Sequence, residues 1–178
     1  EGQMSPHRLL ASTIGDELKI ATNFKSKVIG VALKDRAAIL PAGHSADAAY
    51  WWDTSAGHFV SSTFYMKELP KWVTDFNKQN STKPGFDIKT SDQGVTMTFK
   101  MAEAAIENEK LGQGSTTDML AVSVSSTDAI GHAYSTRGKE NHDVYLQLDK
   151  DIAQFFNYLD ATVGKGNFLL FLSADHGG

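Results

Sequence analysis

The chain has 178 residues, a net charge of −4 and no cysteine. Hydrophobic residues make up 41% of it and charged residues 21%, as in an ordinary globular domain. Without cysteine, disulfides, thiol catalysis and thiolate metal sites are excluded, so any metal site must use imidazole and carboxylate ligands. Lysine and arginine are scattered, which argues against a nucleic-acid-binding surface. No apolar run approaches the roughly 20 residues that span a bilayer.

Helix-like and strand-like segments alternate along the first third of the chain. Residues 5–23 have apolar side chains at close to helical spacing and are predicted to form a helix. Residues 27–33 are apolar and β-branched, which is typical of a buried strand. Residues 49–52 and 58–64 are aromatic or β-rich and flank the turn-forming residues 53–57, so a small β-hairpin is predicted.

The middle of the chain contains the best candidate for an irregular segment. Residues 69–77 are predicted to form a short helix, with Pro70 at a position where its missing N–H is harmless. Residues 78–95 are polar and rich in turn formers, which indicates a loop or a shortened insertion. Residues 99–111 are rich in Ala and Glu and are predicted to form a helix.

The last third returns to the alternating pattern. Residues 119–124 are predicted to form a buried strand, residues 144–163 a long amphipathic helix, and residues 167–172 another strand. Strands separated by helices predict βαβ units. We therefore expect a single, partial α/β domain over residues 1–178, with a mostly parallel sheet that is covered by helices on both faces.

Two polar clusters stand directly after two of the predicted strands. The first follows MLAVSV and contains Asp128 and His132, whereas the second follows NFLLFL and contains Asp175 and His176. Ligands of open α/β sheets bind at the carboxyl ends of strands. Carboxylate oxygen and imidazole nitrogen are ligands that suit Zn²⁺. Either pair alone occurs often by chance, but two pairs at matching strand ends favour a metal site.

A short charged segment, Lys34-Asp35-Arg36, follows the first predicted strand. Lysine supplies a mobile point charge and arginine a planar fork that matches phosphate oxygens. At a strand end, Lys34 and Arg36 could hold a phosphoryl group against metal ions. The alternative is an ordinary solvated run of charges, which the segment taken alone favours.

Three stretches together resemble the alkaline phosphatase superfamily. They are GVALKDRAAILPAGHSADAAYWWD (30–53), AIENEKLGQGSTTDMLAVSVSSTDAIGHAYS (105–135) and LLFLSADHGG (169–178). The resemblance is to the branch of type I phosphodiesterases and nucleotide pyrophosphatases, and within it to the phosphate-irrepressible bacterial alkaline phosphatases of the PafA type. It implies a three-layer α/β/α sandwich and phosphate monoester hydrolysis at a site with two Zn²⁺ ions.

The resemblance also implies a role for each candidate residue. Asp128 and His132 match ligands of one zinc, and Asp175 and His176 match ligands of the second. The segment with Lys34 and Arg36 matches the phosphate-contacting pair that marks monoesterases in this branch. The expected substrates are small phosphate esters.

The superfamily also uses groups that this chain does not show. An early metal-binding Asp and a nucleophilic Thr precede the matched region, and a further His ligand follows it. We therefore interpret the chain as an internal fragment that is inactive by itself. The resemblance implies a periplasmic or secreted location, although residues 1–26 show no signal peptide.

Other functions stay open at this level. The parent protein could prefer phosphodiesters or nucleotide pyrophosphates, and the chain itself could be a catalytically dead module that binds metal or phosphate. A sulfatase or a phosphoglycerate-mutase-like relative would share the acid and imidazole pairs, but the Lys34 to Arg36 segment argues against it. A fragment would also expose unpaired sheet edges, so self-association is a further hypothesis.

Overall fold

The structure is a computed structural model that describes residues 4–177. The α-helices are α1 (Ile14–Ala21), α2 (Asp35–Ala42), α3 (Lys71–Asn80), α4 (Gln93–Glu109), α5 (Ser126–Tyr134) and α6 (Lys139–Leu159). The strands are β1 (Val28–Ala32), β2 (Ala48–Asp53), β3 (His58–Val60) and β4 (Met119–Ser123). Single turns of 3₁₀ helix lie at Pro6–Arg8 and Ile88–Thr90, and a π-helical turn at Asp160–Gly164 follows α6.

The four strands form one sheet in the order β3-β2-β1-β4. Strand β1 pairs in parallel with both β2 and β4, and β2 pairs antiparallel with β3. The mostly parallel sheet and the small hairpin are thus confirmed. All five residues of β1 are buried, because a central strand of a parallel sheet has helices on both faces.

Helices cover both faces of the sheet, which gives the predicted α/β/α sandwich. On one face, Ala32 packs in a small cluster with Ala38 and Ile39 of α2. On the other face, Ile29 and Val31 belong to a larger core cluster that includes residues of α3, α4 and α6. Residues that alternate along β1 therefore serve opposite layers, as the two-residue period of a strand requires.

Gly30 in β1 sets how closely one layer approaches the sheet. A Cβ placed on this residue would overlap the carbonyl oxygen of Ala38 in α2 and lie 3.1 Å from Ala42 Cβ. Only glycine permits this approach of helix to strand. Within residues 4–177, no helix is long and apolar enough to cross a membrane.

The first helix is shorter than the prediction for residues 5–23. Helix α1 begins at Ile14 because Thr13 caps it. Thr13 Oγ1 accepts a hydrogen bond from Asp16 N at 3.2 Å, and Asp16 Oδ2 accepts one from Thr13 N at 3.0 Å. This reciprocal capping box gives two backbone N–H groups a hydrogen-bond acceptor and fixes the residue at which the helix begins.

The predicted loop at residues 78–95 is also shorter than expected. Helix α3 continues to Asn80 and α4 already begins at Gln93, so the connection between them covers residues 81–92. Its backbone is held against the hairpin turn, since Thr82 N donates to Gly57 O at 2.9 Å and Gly85 N donates to Thr54 O at 2.8 Å. The connection is therefore an ordered part of the fold.

The prediction of a strand at residues 167–172 is wrong for this structure. A strand needs a hydrogen-bonded partner, and none of the four strands pairs with this segment in the described part of the chain. Phe168 still packs against the larger core cluster, but the apolar side chains after it lie open to solvent, with Leu169 90% exposed, Phe171 73% and Leu172 80%. Strand β4 is the last strand of the sheet, so its outer edge also lacks a strand partner among residues 4–177.

We expect the 178-residue chain to self-associate through this exposed apolar segment, because contiguous apolar surface and unpaired strand edges favour aggregation. Replacing Phe171 by Glu should lower the apparent mass in size-exclusion chromatography coupled to light scattering. The matched control is Leu10→Glu, since Leu10 is 98% exposed but lies far along the chain from this segment. A clean monomer for the unmodified chain at high concentration would contradict the prediction.

Candidate metal centre

The two strands that precede the candidate residues are neighbours in the sheet. Strands β1 and β4 run in parallel, with Ala32 opposite Ser123. Their carboxyl ends therefore meet at one edge, where α2 starts after Lys34 and α5 starts after Ser125. This is the edge at which open α/β sheets bind their ligands.

Helix α5 fixes the geometry of the first candidate pair. Asp128 lies in its first turn and His132 lies four residues later, one turn along the same face. His132 Nε2 is 3.1 Å from Asp128 Oδ1. A carboxylate in the first turn of a helix also interacts favourably with the helix dipole.

The second candidate pair reaches the same place from the irregular C-terminal segment. His176 Nε2 is 3.8 Å from Asp128 Oδ1 and 3.8 Å from Asp175 Oδ2. Asp128, His132 and His176 thus form one cluster, which Asp175 joins only through its contact with His176 among the described residues, although the strand expected to deliver the second pair is not formed.

The two phosphate-contacting candidates are placed differently. Lys34 Nζ lies 2.5 Å from Asp128 Oδ2, so the lysine belongs to the cluster. Arg36 lies in the first turn of α2 and is exposed, and it forms no ion pair with any described residue. Oxygen Oδ1 of Asp128 therefore faces the imidazoles, whereas Oδ2 faces the ammonium group.

Asp128 is held in its ionised form. The hydrogen bond from Lys34 lowers the pKa of the Asp128 carboxyl, and the charges of Lys34, His132 and His176 act in the same direction against the effect of burial. The pKa of His176 is raised, first by its contact with the Gly177 carbonyl oxygen and then by the charges of Asp175 and Asp128. The Asp128 carboxylate thus faces the ammonium group of Lys34 and the imidazole of His176, whose pKa is raised.

The donor chemistry of the cluster fits zinc, but the number of donors per ion is small. Carboxylate oxygen and imidazole nitrogen are the expected zinc ligands in a protein without cysteine. Among residues 4–177, however, no three carboxylate or imidazole groups are arranged to hold one ion. Exposure is also uneven, since the Asp128 side chain is 26% exposed and that of Asp175 94%.

Gly94, which sequence reasoning treated only as a turn former, packs directly behind the cluster. A Cβ on this residue would overlap Ser126 Oγ, lie 2.6 Å from the carbonyl oxygen of Ile88 and lie 2.9 Å from Leu33 Cδ1. Leu33 precedes Lys34, and Ser126 lies two residues before Asp128. Gly94 therefore sits between the two chain segments that carry the ion pair, a close approach that spacing along the sequence could not reveal.

Comparison with known proteins decides the family. Residues 13–178 match the family described as type I phosphodiesterase / nucleotide pyrophosphatase. The chain belongs to this family. The match covers both candidate ligand pairs and the segment with Lys34 and Arg36.

The relatives include bacterial alkaline phosphatases. The chain is 46% identical to alkaline phosphatase PhoV of Synechococcus elongatus (strain ATCC 33912 / PCC 7942 / FACHB-805), over 99% of this chain and 41% of that protein. It is also 46% identical, with the same coverage, to a protein of Myroides odoratus named calcium-transporting ATPase. The crystal structure of wild-type alkaline phosphatase PafA superimposes with a TM-score of 0.86 at 40% identity, over 92% of this chain and 41% of that chain.

The length of the alignment shows a difference inside the matched region. The chain spans about 41% of the length of PhoV, yet the alignment runs over 225 residues, 47 more than the 178 of this chain. The relative therefore has residues within the matched region that this chain lacks. That the shortening falls within residues 78–95 stays a prediction.

We expect Gly94→Ala to lower the free energy of unfolding by about 1–3 kcal/mol, as overpacking of a filled site typically does. The better helix propensity of alanine would contribute at most about 1 kcal/mol in the other direction. Urea denaturation followed by circular dichroism measures the difference. Gly114→Ala is the matched control, because the nearest neighbour of its added methyl group would be Thr116 N at 4.0 Å. Equal stabilities of the two variants would contradict the close packing at Gly94.

We expect the pKa of Asp128, followed by carboxyl ¹³C NMR in the presence of EDTA, to lie below the ordinary aspartate value and to rise in Lys34→Met. A carboxyl whose pKa is lowered by folding stabilises the native state above its unfolded pKa, and this stability is lost as pH falls through the folded pKa. Asp75 is the internal control, since Lys71 and Lys78 lower its pKa independently of Lys34. An Asp128 titration that is the same in both proteins would refute the role of Lys34.

Proposed function

We propose that this chain is part of the active site of a metal-dependent phosphate monoester hydrolase of the alkaline phosphatase type. The observation that carries the proposal is the cluster around Asp128, in which His132, His176 and Lys34 face one carboxylate at the carboxyl edge of a parallel sheet. Membership of the family and the similarity to the alkaline phosphatases PhoV and PafA support it.

Each pair is assigned to one of two zinc ions. Asp128 and His132 would hold the first, and Asp175 and His176 the second, with further ligands from parts of the parent protein beyond this chain. Two bound metal ions would stabilise the attacking and leaving oxygens of an in-line displacement. The described residues supply two donors for each ion, whereas zinc sites usually have three or four protein ligands.

Lys34 and Arg36 would bind the phosphoryl group. A monoester dianion carries more charge on its non-bridging oxygens than a diester does, so added positive charge favours monoesters. Lys34 is already at the cluster, and the exposed guanidinium of Arg36 is free of ion pairs within the described residues. This pair supports a monoesterase over a diesterase.

Two other functions come from specific observations. The family name includes phosphodiesterases and nucleotide pyrophosphatases, which favours diester or pyrophosphate substrates. The small number of donors per ion favours a catalytically dead module that binds metal or phosphate. The Myroides relative is named as an ATPase, which adds ATP to the substrates that an assay must include. A periplasmic or secreted location belongs to the same proposal and rests on the resemblance to exported phosphatases.

We expect the full-length parent protein to hydrolyse an aryl phosphate monoester in preference to an aryl diester, a nucleotide pyrophosphate and ATP. EDTA should abolish turnover and added Zn²⁺ should restore it. The 178-residue chain in the same assay should remain at background, because it covers only part of the length of its relatives. A strong preference for the diester would remove the monoesterase assignment.

Substitutions in the same parent protein serve as the controls of this experiment. Lys34→Met should lower kcat/KM for the monoester by about 10²-fold, the usual cost of removing one charged stabilising group, and affect the diester less. Lys71→Met is the matched control, since Lys71 is an exposed lysine on α3 whose only ion pair among residues 4–177 is with Asp75. His132→Ala should abolish turnover, whereas His142→Ala, at an exposed histidine outside the cluster, should not.

A further inference from the structure

The carboxylate of Asp128 is shared between two kinds of partner. Its Oδ1 lies 3.1 Å from His132 Nε2 and 3.8 Å from His176 Nε2. Its Oδ2 lies 2.5 Å from Lys34 Nζ. Among residues 4–177, Lys34 is the only lysine or arginine that forms an ion pair with any of the four proposed metal ligands.

The position of Lys34 bears directly on how a metal ion could bind. An ammonium group at hydrogen-bond distance occupies the oxygen that a divalent cation would use for bidentate binding. A cation on Oδ1 alone would still stand within a few ångströms of the ammonium charge, where like charges repel strongly at the dielectric of a half-buried site. This repulsion would be relieved if Lys34 left Asp128.

We propose that Lys34 and a divalent cation compete for Asp128, so that metal loading and release of the Lys34 ammonium group are a single coupled event. The inference rests on the proposed metal centre, and it adds that Lys34 regulates metal binding there. Lys34 neutralises Asp128 in the absence of metal. Once displaced, its side chain, already 34% exposed, can turn its ammonium group to a phosphoryl oxygen at the same edge of the sheet.

The direction of the effect follows from linkage. If metal binding requires Lys34 to leave Asp128, then removing the lysine must raise the affinity for metal by the strength of the lost competition. Loss of a partly exposed ion pair would raise the affinity for Zn²⁺ by up to about fivefold, and relief of charge repulsion would raise it further. We therefore expect about three- to tenfold tighter binding of Zn²⁺ in Lys34→Met.

The test is a Zn²⁺ titration of the 178-residue chain, followed by NMR of the imidazole groups of His132 and His176, which also detects weak binding. The variants are Lys34→Met, Lys34→Arg and Arg36→Met. Lys34→Arg keeps the charge at Asp128, and Arg36→Met removes one nearby charge that contacts no described carboxylate. Both controls should bind Zn²⁺ within about twofold of the unmodified chain, since neither removes the competitor.

A second readout follows Lys34 itself. The ¹⁵N signal of its ammonium group should shift during the titration with the same midpoint as the imidazole signals. Tighter binding in Lys34→Met alone, together with this shift, supports the coupling. The same affinity in all four proteins, or equal tightening in Arg36→Met, overturns it and leaves the metal centre intact. If neither imidazole responds to Zn²⁺ in any of the four proteins, the inference fails, whereas the metal centre itself is tested by EDTA and Zn²⁺ in the parent protein.

Discussion

The parallel pairing of β1 with β4 is the constraint on which the candidate site depends. Because the two strands share one direction and a fixed register, the loops that follow them leave the sheet side by side. Lys34 and Asp128 are 94 residues apart in sequence, yet they form an ion pair. A one-residue slip of β4 would move every side chain of the strand to the opposite face and carry α5 away from the lysine.

The elements that could be predicted are those whose signal is local. The apolar runs of β1 and β4, the hairpin and the long amphipathic helix α6 are found close to where periodicity indicated them. The position of Asp128 and His132 at the carboxyl edge of the sheet followed from their place after β4, whereas Asp175 and His176 follow no strand. The length of α1 could not be foreseen from apolar spacing, because the capping box at Thr13 overrides that spacing.

Features that depend on contacts between residues far apart in the chain could not be predicted from the sequence. Residues 167–172 have the composition of a buried strand, but composition cannot state whether a neighbouring strand is available. The contact of Lys34 with Asp128 is likewise a property of the assembled sheet, whereas the sequence analysis had assigned the lysine to phosphate. Gly94 reads as a turn residue in sequence, although its importance comes from the overlap that any larger side chain would cause.

The two halves of the candidate centre differ in rigidity. Asp128 and His132 lie one turn apart on the same helix, so the helical backbone sets their separation whether or not an ion is bound. Asp175 and His176 lie on an irregular stretch with exposed side chains, and immobilising that stretch costs conformational entropy. If the proposed two-zinc centre forms, its assembly would be stepwise: the helical pair would bind first, and most of the conformational entropy lost on completing the centre would come from the C-terminal segment.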